Sequence, residues 1–348
     1  MIAMLMAAGA SFVIAIGGTP LLIRWLRARG IGAHIRDDGP VEHPHVSKAG
    51  TPTMGGVAIV AATVVGYLFA HLRRESVKFA SSGWTLLVLI IGLGLVGFID
   101  DYLGVRKHRN LGLRKRGKTG GILIVAGGFG ALALEWVQVS TRLSFTRPMA
   151  LDLGTIGWLI WAVIVVYATS NAVNITDGLD GLVSGSAALV FVAFLIVAFT
   201  EFRHPEIYHV IPAQALDLAI IAAAMLGACT GFLWWNAAPA SIFMGDTGAL
   251  AIGGAIAGLA LLTRTNLLLP LLGGLYAVET LSVVAQIVSY RGFGRRVLRM
   301  APIHHHFELG GWSEFTVIVR FWLFAGACVA FGVGLFYADF LRIPGVIE

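Results

Sequence analysis

A chain of 348 residues of which 57% are hydrophobic and only 13% charged, with a mean hydropathy of +0.82, lies outside the range of soluble globules, where about a quarter of residues are charged. That composition excludes a water-soluble fold and predicts an all-α polytopic integral membrane protein, with residues 1–348 forming a single domain. The formal charge of +6 reads as loop asymmetry rather than nucleic-acid binding, because the basic residues fall in short connections between apolar runs.

At about 20 apolar residues per span, ten helices are predicted near residues 2–23, 54–71, 84–99, 120–139, 155–170, 182–200, 213–233, 248–263, 267–289 and 316–340. The first run reaches Ile23 before meeting Arg24, Arg27 and Arg29, which reads as a retained span rather than a cleaved leader. Cys229 and Cys328 each sit in an apolar run and read as buried thiols. Connections after the odd spans carry sixteen Lys and Arg. Those on the other side, with the C-terminal tail, carry eight, leaving aside Arg320 within the last span. The excess predicts cytoplasmic odd connections and both termini outside.

The polar clusters fall on that same side. In the first, His45 to Gly56, the sequence TPTMGG would start a helix whose free N–H groups favour an anion, with Lys48 adding a charge suited to phosphate. Asp100 and Asp101 end the third span, where two adjacent acids oppose the helix dipole and call for a cation. Either Mg²⁺ or the following basic run, Arg106 to Lys118, would serve. Within that run, Gly112 to Thr119 fits the pattern GxxxxGK[ST], but no apolar strand precedes it, so it reads as a positive-inside loop with one or two anion-binding side chains.

Asn171 to Leu182, NAVNITDGLDGL, places two amides and two carboxylates between two apolar spans, where ionisable groups are costly and usually functional. Asn171, Asn174 and Asp177 recur every three residues and should share one helix face. Asn236 and Asp246 flank the connection before the eighth span, where Asp246 between glycines reads as a helix cap or as a group approached closely by a ligand or metal. Gly254 and Gly258 form a small-xxx-small pattern suited to close helix packing. His304, His305 and His306 are unsuited to grip one ion together, since neighbouring side chains diverge. With oxygen donors prevailing elsewhere, the metal expected is Mg²⁺ or Mn²⁺ and the histidines read as phosphate or sugar donors. Carboxylates, cations and a divalent metal at one interface describe phosphoryl transfer; a transporter would concentrate its polar groups near the midplane instead.

TPTMGG (51–56), GFIDDY (97–102), NAVNITDGLDGL (171–182), FMGDTG (243–248), ETLSVVAQ (279–286) and APIHHHFE (301–308), in this order, resemble the phospho-N-acetylmuramoyl-pentapeptide transferases of bacterial peptidoglycan synthesis. The first and last motifs favour that family over the related polyprenyl-phosphate N-acetylglucosamine-1-phosphate transferases. The resemblance implies transfer of phospho-N-acetylmuramoyl-pentapeptide from its uridine diphosphate carrier to undecaprenyl phosphate, giving lipid I and UMP, with Mg²⁺. It further implies a ten-span bundle, often a homodimer, in the bacterial inner membrane with a cytoplasmic-facing cleft. By motif match Asp246 would ligate the metal, and Asp100 and Asp101 would be the catalytic acid pair. Asn171, Asn174, Asp177, Asp180, Asn236 and Gln286 would contact uridine and sugar phosphate. His304, His305 and His306 would complete the substrate site, and Lys48 and Lys118 would hold phosphates. The family's D-D-x-x-K pattern is broken here by Gly104, so Arg106, Lys107 or Lys118 would have to supply the charge.

Overall fold

A computed structural model describes residues 1–32, 50–72, 77–106 and 112–343 of the chain. Its helices are α1 (Ile2–Ala28), α2 (Gly56–Ala70), α3 (Ser81–Arg106), α4 (Lys115–Leu132), α5 (Gly154–Thr176), α6 (Leu182–Arg203), α7 (Pro205–Tyr208), α8 (Pro212–Asn236), α9 (Gly245–Leu262), α10 (Leu269–Leu272), α11 (Gly274–Phe293), α12 (Ile303–Glu308) and α13 (Glu314–Leu341). Ten of these, at 15 residues or more, fall on the ten predicted segments. Eight, counting α4 with the π-helical turn after it, are long and apolar enough to cross a membrane; α2, at 15 residues, is a shorter apolar helix. Helix is the expected solution, because in hydrocarbon every backbone N–H and C=O must be satisfied within the segment.

Several helices overrun their apolar runs. α1 continues through Arg24 and Arg27, and α3 carries Asp100, Asp101 and Arg106 in its last turns. Charged residues at helix ends keep their heads in water while the backbone stays helical, so hydropathy alone underestimates helix length. Among the described residues the all-α expectation holds but for one hairpin. After the π-helical turn Ala133–Val137, strands β1 (Arg142–Ser144) and β2 (Pro148–Asp152) pair antiparallel, with Ser144 opposite Pro148. Arg147 binds Asp339 of α13 through Nε and a terminal nitrogen, both at 2.8 Å, and Thr146 Oγ1 donates to the same carboxylate at 2.7 Å.

α9 lies at the centre, buried from Thr247 to Leu262 and packed by α3, α5 and α2. Its small residues explain how three helices fit so closely: Gly253 faces the Ser170 backbone, and Gly254 and Gly258 face Leu93, Leu86 and Leu89 of α3. The chain alternates up and down. The C-terminal ends of α3, α5, α8 and α11 therefore gather at one end of the bundle with the N-terminal ends of α2, α4, α6, α9 and α13.

The opposite end holds a closed polar cluster. Asp217, fully buried on α8, accepts from Tyr67 Oη and the Ala80 N–H at 2.8 Å each, and its other oxygen lies 2.8 Å from His71 Nε2.

Candidate active site

At the first end, two distant segments join by main chain. Gly55 N–H donates to the Phe243 carbonyl at 2.9 Å, Gly56 N–H to that of Met244 at 2.8 Å, and Phe243 N–H to that of Pro52 at 2.8 Å. A Cβ on Gly56 would strike the Gly248 backbone, and one on Gly97 would strike the Asp246 carbonyl. The glycines of TPTMGG, GFIDDY and FMGDTG thus permit α2, α3 and α9 to converge on Asp246.

The adjacent acids of α3 have separate roles. Asp101 caps α9: its carboxylate accepts from the Asp246 and Thr247 N–H groups at 3.0 Å each and from Thr247 Oγ1 at 2.6 Å. Gly245, at φ +71°, makes the turn that brings those amides down to it, a conformation glycine adopts without strain. Asp100 instead accepts from the Leu113 N–H at 2.7 Å and lies 3.7 Å from Lys118 Nζ. Its carboxyl also meets that of Asp246 within hydrogen-bonding reach.

Asp246, in the first turn of α9, is the hub. Asn174 Nδ2 donates to its Oδ1 at 2.6 Å, and Lys118 Nζ donates to its Oδ2. Lys118 rises from α4, whose helix begins at Lys115, so the GxxxxGK[ST] segment runs into helix and delivers one cation to two carboxylates. That cation answers the missing basic residue at Gly104. Arg106 is exposed in the last turn of α3, while Lys107 and Lys48 lie outside the described residues.

Of the predicted arc on α5, Asn174 reaches Asp246, whereas Asn171 returns its amide to the Tyr167 carbonyl at 2.7 Å. Asp177 ends α5 half-buried, and its carboxylate receives no hydrogen bond from the described residues. Burial, then the charges of Asp246, Asp101 and Asp180, push its carboxyl up to about 8. Asp180 accepts from the Ala240 N–H at 2.9 Å, and its own N–H meets Glu314 Oε1 at 3.1 Å.

Two amides predicted to touch substrate hold loops. Asn236 accepts from Ser184 Oγ at 2.8 Å and donates to the Ile242 carbonyl at 3.0 Å, shaping the approach to Asp246. Gln286 accepts from the Val297 and Leu298 N–H groups and donates to the Leu298 carbonyl. Beside it opens a cavity of about 290 Å³ lined by Ile287, Tyr290, Arg291 and Arg296.

The three histidines of α12 diverge as their succession requires. His304, fully buried, sets Nδ1 3.1 Å from Oε2 of Glu279, an acid on α11 absent from the predicted site. His305 Nδ1 meets Glu308 Oε2 at 2.7 Å, and His306 Nδ1 accepts from the Arg299 N–H at 3.0 Å, which leaves its Nε2 to carry a proton. Glu279 had a signal: it is the one charged residue between Leu267 and Ser289.

Among the described residues no three carboxylate, imidazole or thiolate groups converge on one point. A hard cation that keeps its waters and takes one or two carboxylates together with substrate phosphates asks for less. Asp100 and Asp246, two carboxylates in mutual reach, have the oxygen chemistry for it.

Residues 83–264 match the model of glycosyl transferase family 4, and residues 48–60 match a signature of the phospho-N-acetylmuramoyl-pentapeptide-transferases. Proteins of that name from Frankia alni (50% identical over 97% of this chain and 98% of theirs), Corynebacterium kroppenstedtii (49%, over 98% and 99%) and Streptomyces griseus (48%, over 96% and 97%) are similar to it along nearly the whole length.

Proposed function

Because the chain belongs to the phospho-N-acetylmuramoyl-pentapeptide transferase family, we propose that it transfers phospho-N-acetylmuramoyl-pentapeptide from UDP to undecaprenyl phosphate, yielding lipid I and UMP. The observation that carries this reading to particular residues is the meeting of Asp100, Lys118, Asn174 and Asp246 at one end of the bundle. The loop-charge excess supports placing that end on the cytoplasmic side of a bacterial inner membrane, with both termini outside.

The reaction brings an anionic lipid phosphate to the β-phosphorus of an anionic nucleotide. A new phosphorus–oxygen bond forms there while the bond to the UMP oxygen breaks, and UMP leaves with the electron pair. A phosphate monoester with a second pKa near about 6 is already largely dianionic at neutral pH, so its oxygen attacks directly and charge repulsion is the main barrier. Lys118 offsets that repulsion, and Asn174 holds Asp246 in one orientation. Mg²⁺ held by Asp246 and Asp100 would add charge neutralisation at the phosphates. Asp101 keeps the first turn of α9 in place beneath them.

The test is UMP release and prenyl-linked product from detergent-purified protein with undecaprenyl phosphate and Mg²⁺, comparing UDP-N-acetylmuramoyl-pentapeptide with UDP-N-acetylglucosamine. Turnover of the pentapeptide substrate alone, lost on chelation, is the expected result. Preference for the simple amino sugar would assign the chain to the sister transferases, and no turnover of either by folded protein would favour a transporter.

A further inference from the structure

Glu279 is an acid fully enclosed in protein that the reaction above does not use. Its carboxylate lies 3.1 Å from His304 Nδ1, yet both its oxygens and both His304 nitrogens are buried without an aligned hydrogen bond. Buried polar atoms left unpaired are costly and call for an explanation. The other two histidines offer a contrast, since His305 pairs with an acid of its own short helix and His306 with a backbone amide. His304 reaches a different long helix, α11. Its far nitrogen, Nε2, presses on Gly178, where any Cβ would collide with it. Gly178 follows Asp177, the half-buried carboxylate that takes no hydrogen bond from the described residues.

We propose that Glu279 is a positioning residue: its carboxylate keeps the His304 proton on Nδ1 and so seats Nε2 against the 177–180 turn that presents Asp177. The inference rests on placing the reaction at this end of the bundle. Glu279 touches no reacting atom; it acts through the ring, and the ring acts through its contact with Gly178. A ring in the other tautomer would turn a bare Nδ1 lone pair towards the carboxylate, repel it, and shift the turn.

The experiment measures kcat and KM for the full-length enzyme carrying Glu279→Leu, Glu279→Gln, His304→Ala and Glu279→Leu with His304→Ala, alongside melting temperatures and ¹⁵N spectra of histidine-labelled protein. Glu279→Leu should lower kcat roughly ten- to a hundredfold, the range seen for partners that orient a functional histidine, with KM for the nucleotide substrate within about threefold. Its melting temperature should be unchanged or raised, because apolar replacement of a buried charge is often neutral or stabilising. Glu279→Gln, which keeps an acceptor for Nδ1–H, should recover most of kcat, and the double variant should lose no more than His304→Ala alone. A kcat within about twofold of wild type in Glu279→Leu, additive losses in the double variant, or an unchanged His304 ¹⁵N signature would overturn the proposal. Should Glu279→Leu not fold, Glu279→Gln decides it: most of kcat kept with the His304 proton still on Nδ1 supports the proposal, and a His304 proton moved to Nε2 with kcat unchanged overturns it. Wild-type protein that releases no UMP would count against the proposed reaction, whereas the ¹⁵N signature reports the tautomer independently of turnover.

Discussion

The bundle carries one polar cluster at each end, and they are built on opposite plans. Around Asp217 each oxygen is engaged: Tyr67, His71 and the Ala80 amide converge on a single acid with no competing charge among these partners. Around Asp246 like charges are forced together, with Asp100 in contact and Asp101 and Asp177 nearby, and among the described residues Lys118 is the one cation bonded to the group. A satisfied cluster fixes helices to one another. A cluster with surplus negative charge, and a carboxylate lacking donors among the described residues, is suited to a cationic ligand.

Substitutions at the two ends should therefore separate activity from stability. Asp246→Asn, near isosteric, should cut UMP release by about a thousandfold or more while the melting temperature in detergent stays within a few degrees; retained turnover would remove Asp246 from the reaction. Asp217→Ala should do the reverse, costing about 3–5 kcal/mol because His71 and Tyr67 lose their buried partner, with turnover per folded molecule unchanged. Asp101→Ala lies between the two. Loss of the α9 cap should cost about 1–2 kcal/mol in denaturant titration, and turnover should fall because Asp246 starts the same turn.

Asp177 distinguishes the ends by pH. Its carboxyl, raised to about 8 in the folded protein, holds a proton there that the unfolded chain gives up near pH 4. The folded state binds the extra proton, so stability is full below about pH 4 and declines as pH rises to about 8. Asp177→Asn should flatten that slope in metal-free protein and raise the melting temperature at pH 8 by about 2 °C or more relative to wild type. The smallest effect belongs to Asp339→Ala. Its partner Arg147 is 42% exposed, so losing the hairpin's ion pair should cost under about 1 kcal/mol by thermal melt.

The ten long helices were legible because each is an apolar run, and their polar ends because an acid in such a run is rarely idle. The hairpin at 142–152 was not, since three- and five-residue strands are too short to show alternation. Asp246, Lys118 and Asn174 were named from the sequence and do meet. Asn236 and Gln286 were also named, but an amide's residue type does not reveal that it will bind its own loop. Asp100 and Asp101 looked equivalent as neighbours, yet successive helical positions point about 100° apart, which sends one to Lys118 and the other to α9. Glu279 carries the same signal as Asp177, but it lies in the middle of the span predicted at 267–289 rather than at the end of one.

The cap on α9 also sets a timetable for biogenesis. Asp101 waits for amides that lie 145 residues later in the chain. At synthesis rates of about 5–20 residues per second that interval is roughly 7–29 s. Throughout it, the ribosome-bound intermediate already holds α3 with two acids at its end and no α9 to receive either. Lys118, only 18 residues beyond Asp100, emerges within a few seconds, so the first ion pair of the site can form on the nascent chain as a provisional counterweight. The insertion machinery must hold the half-made bundle with its acids at the aqueous rim until the central helix arrives, and truncation before residue 245 should leave a chain destined for quality-control proteolysis.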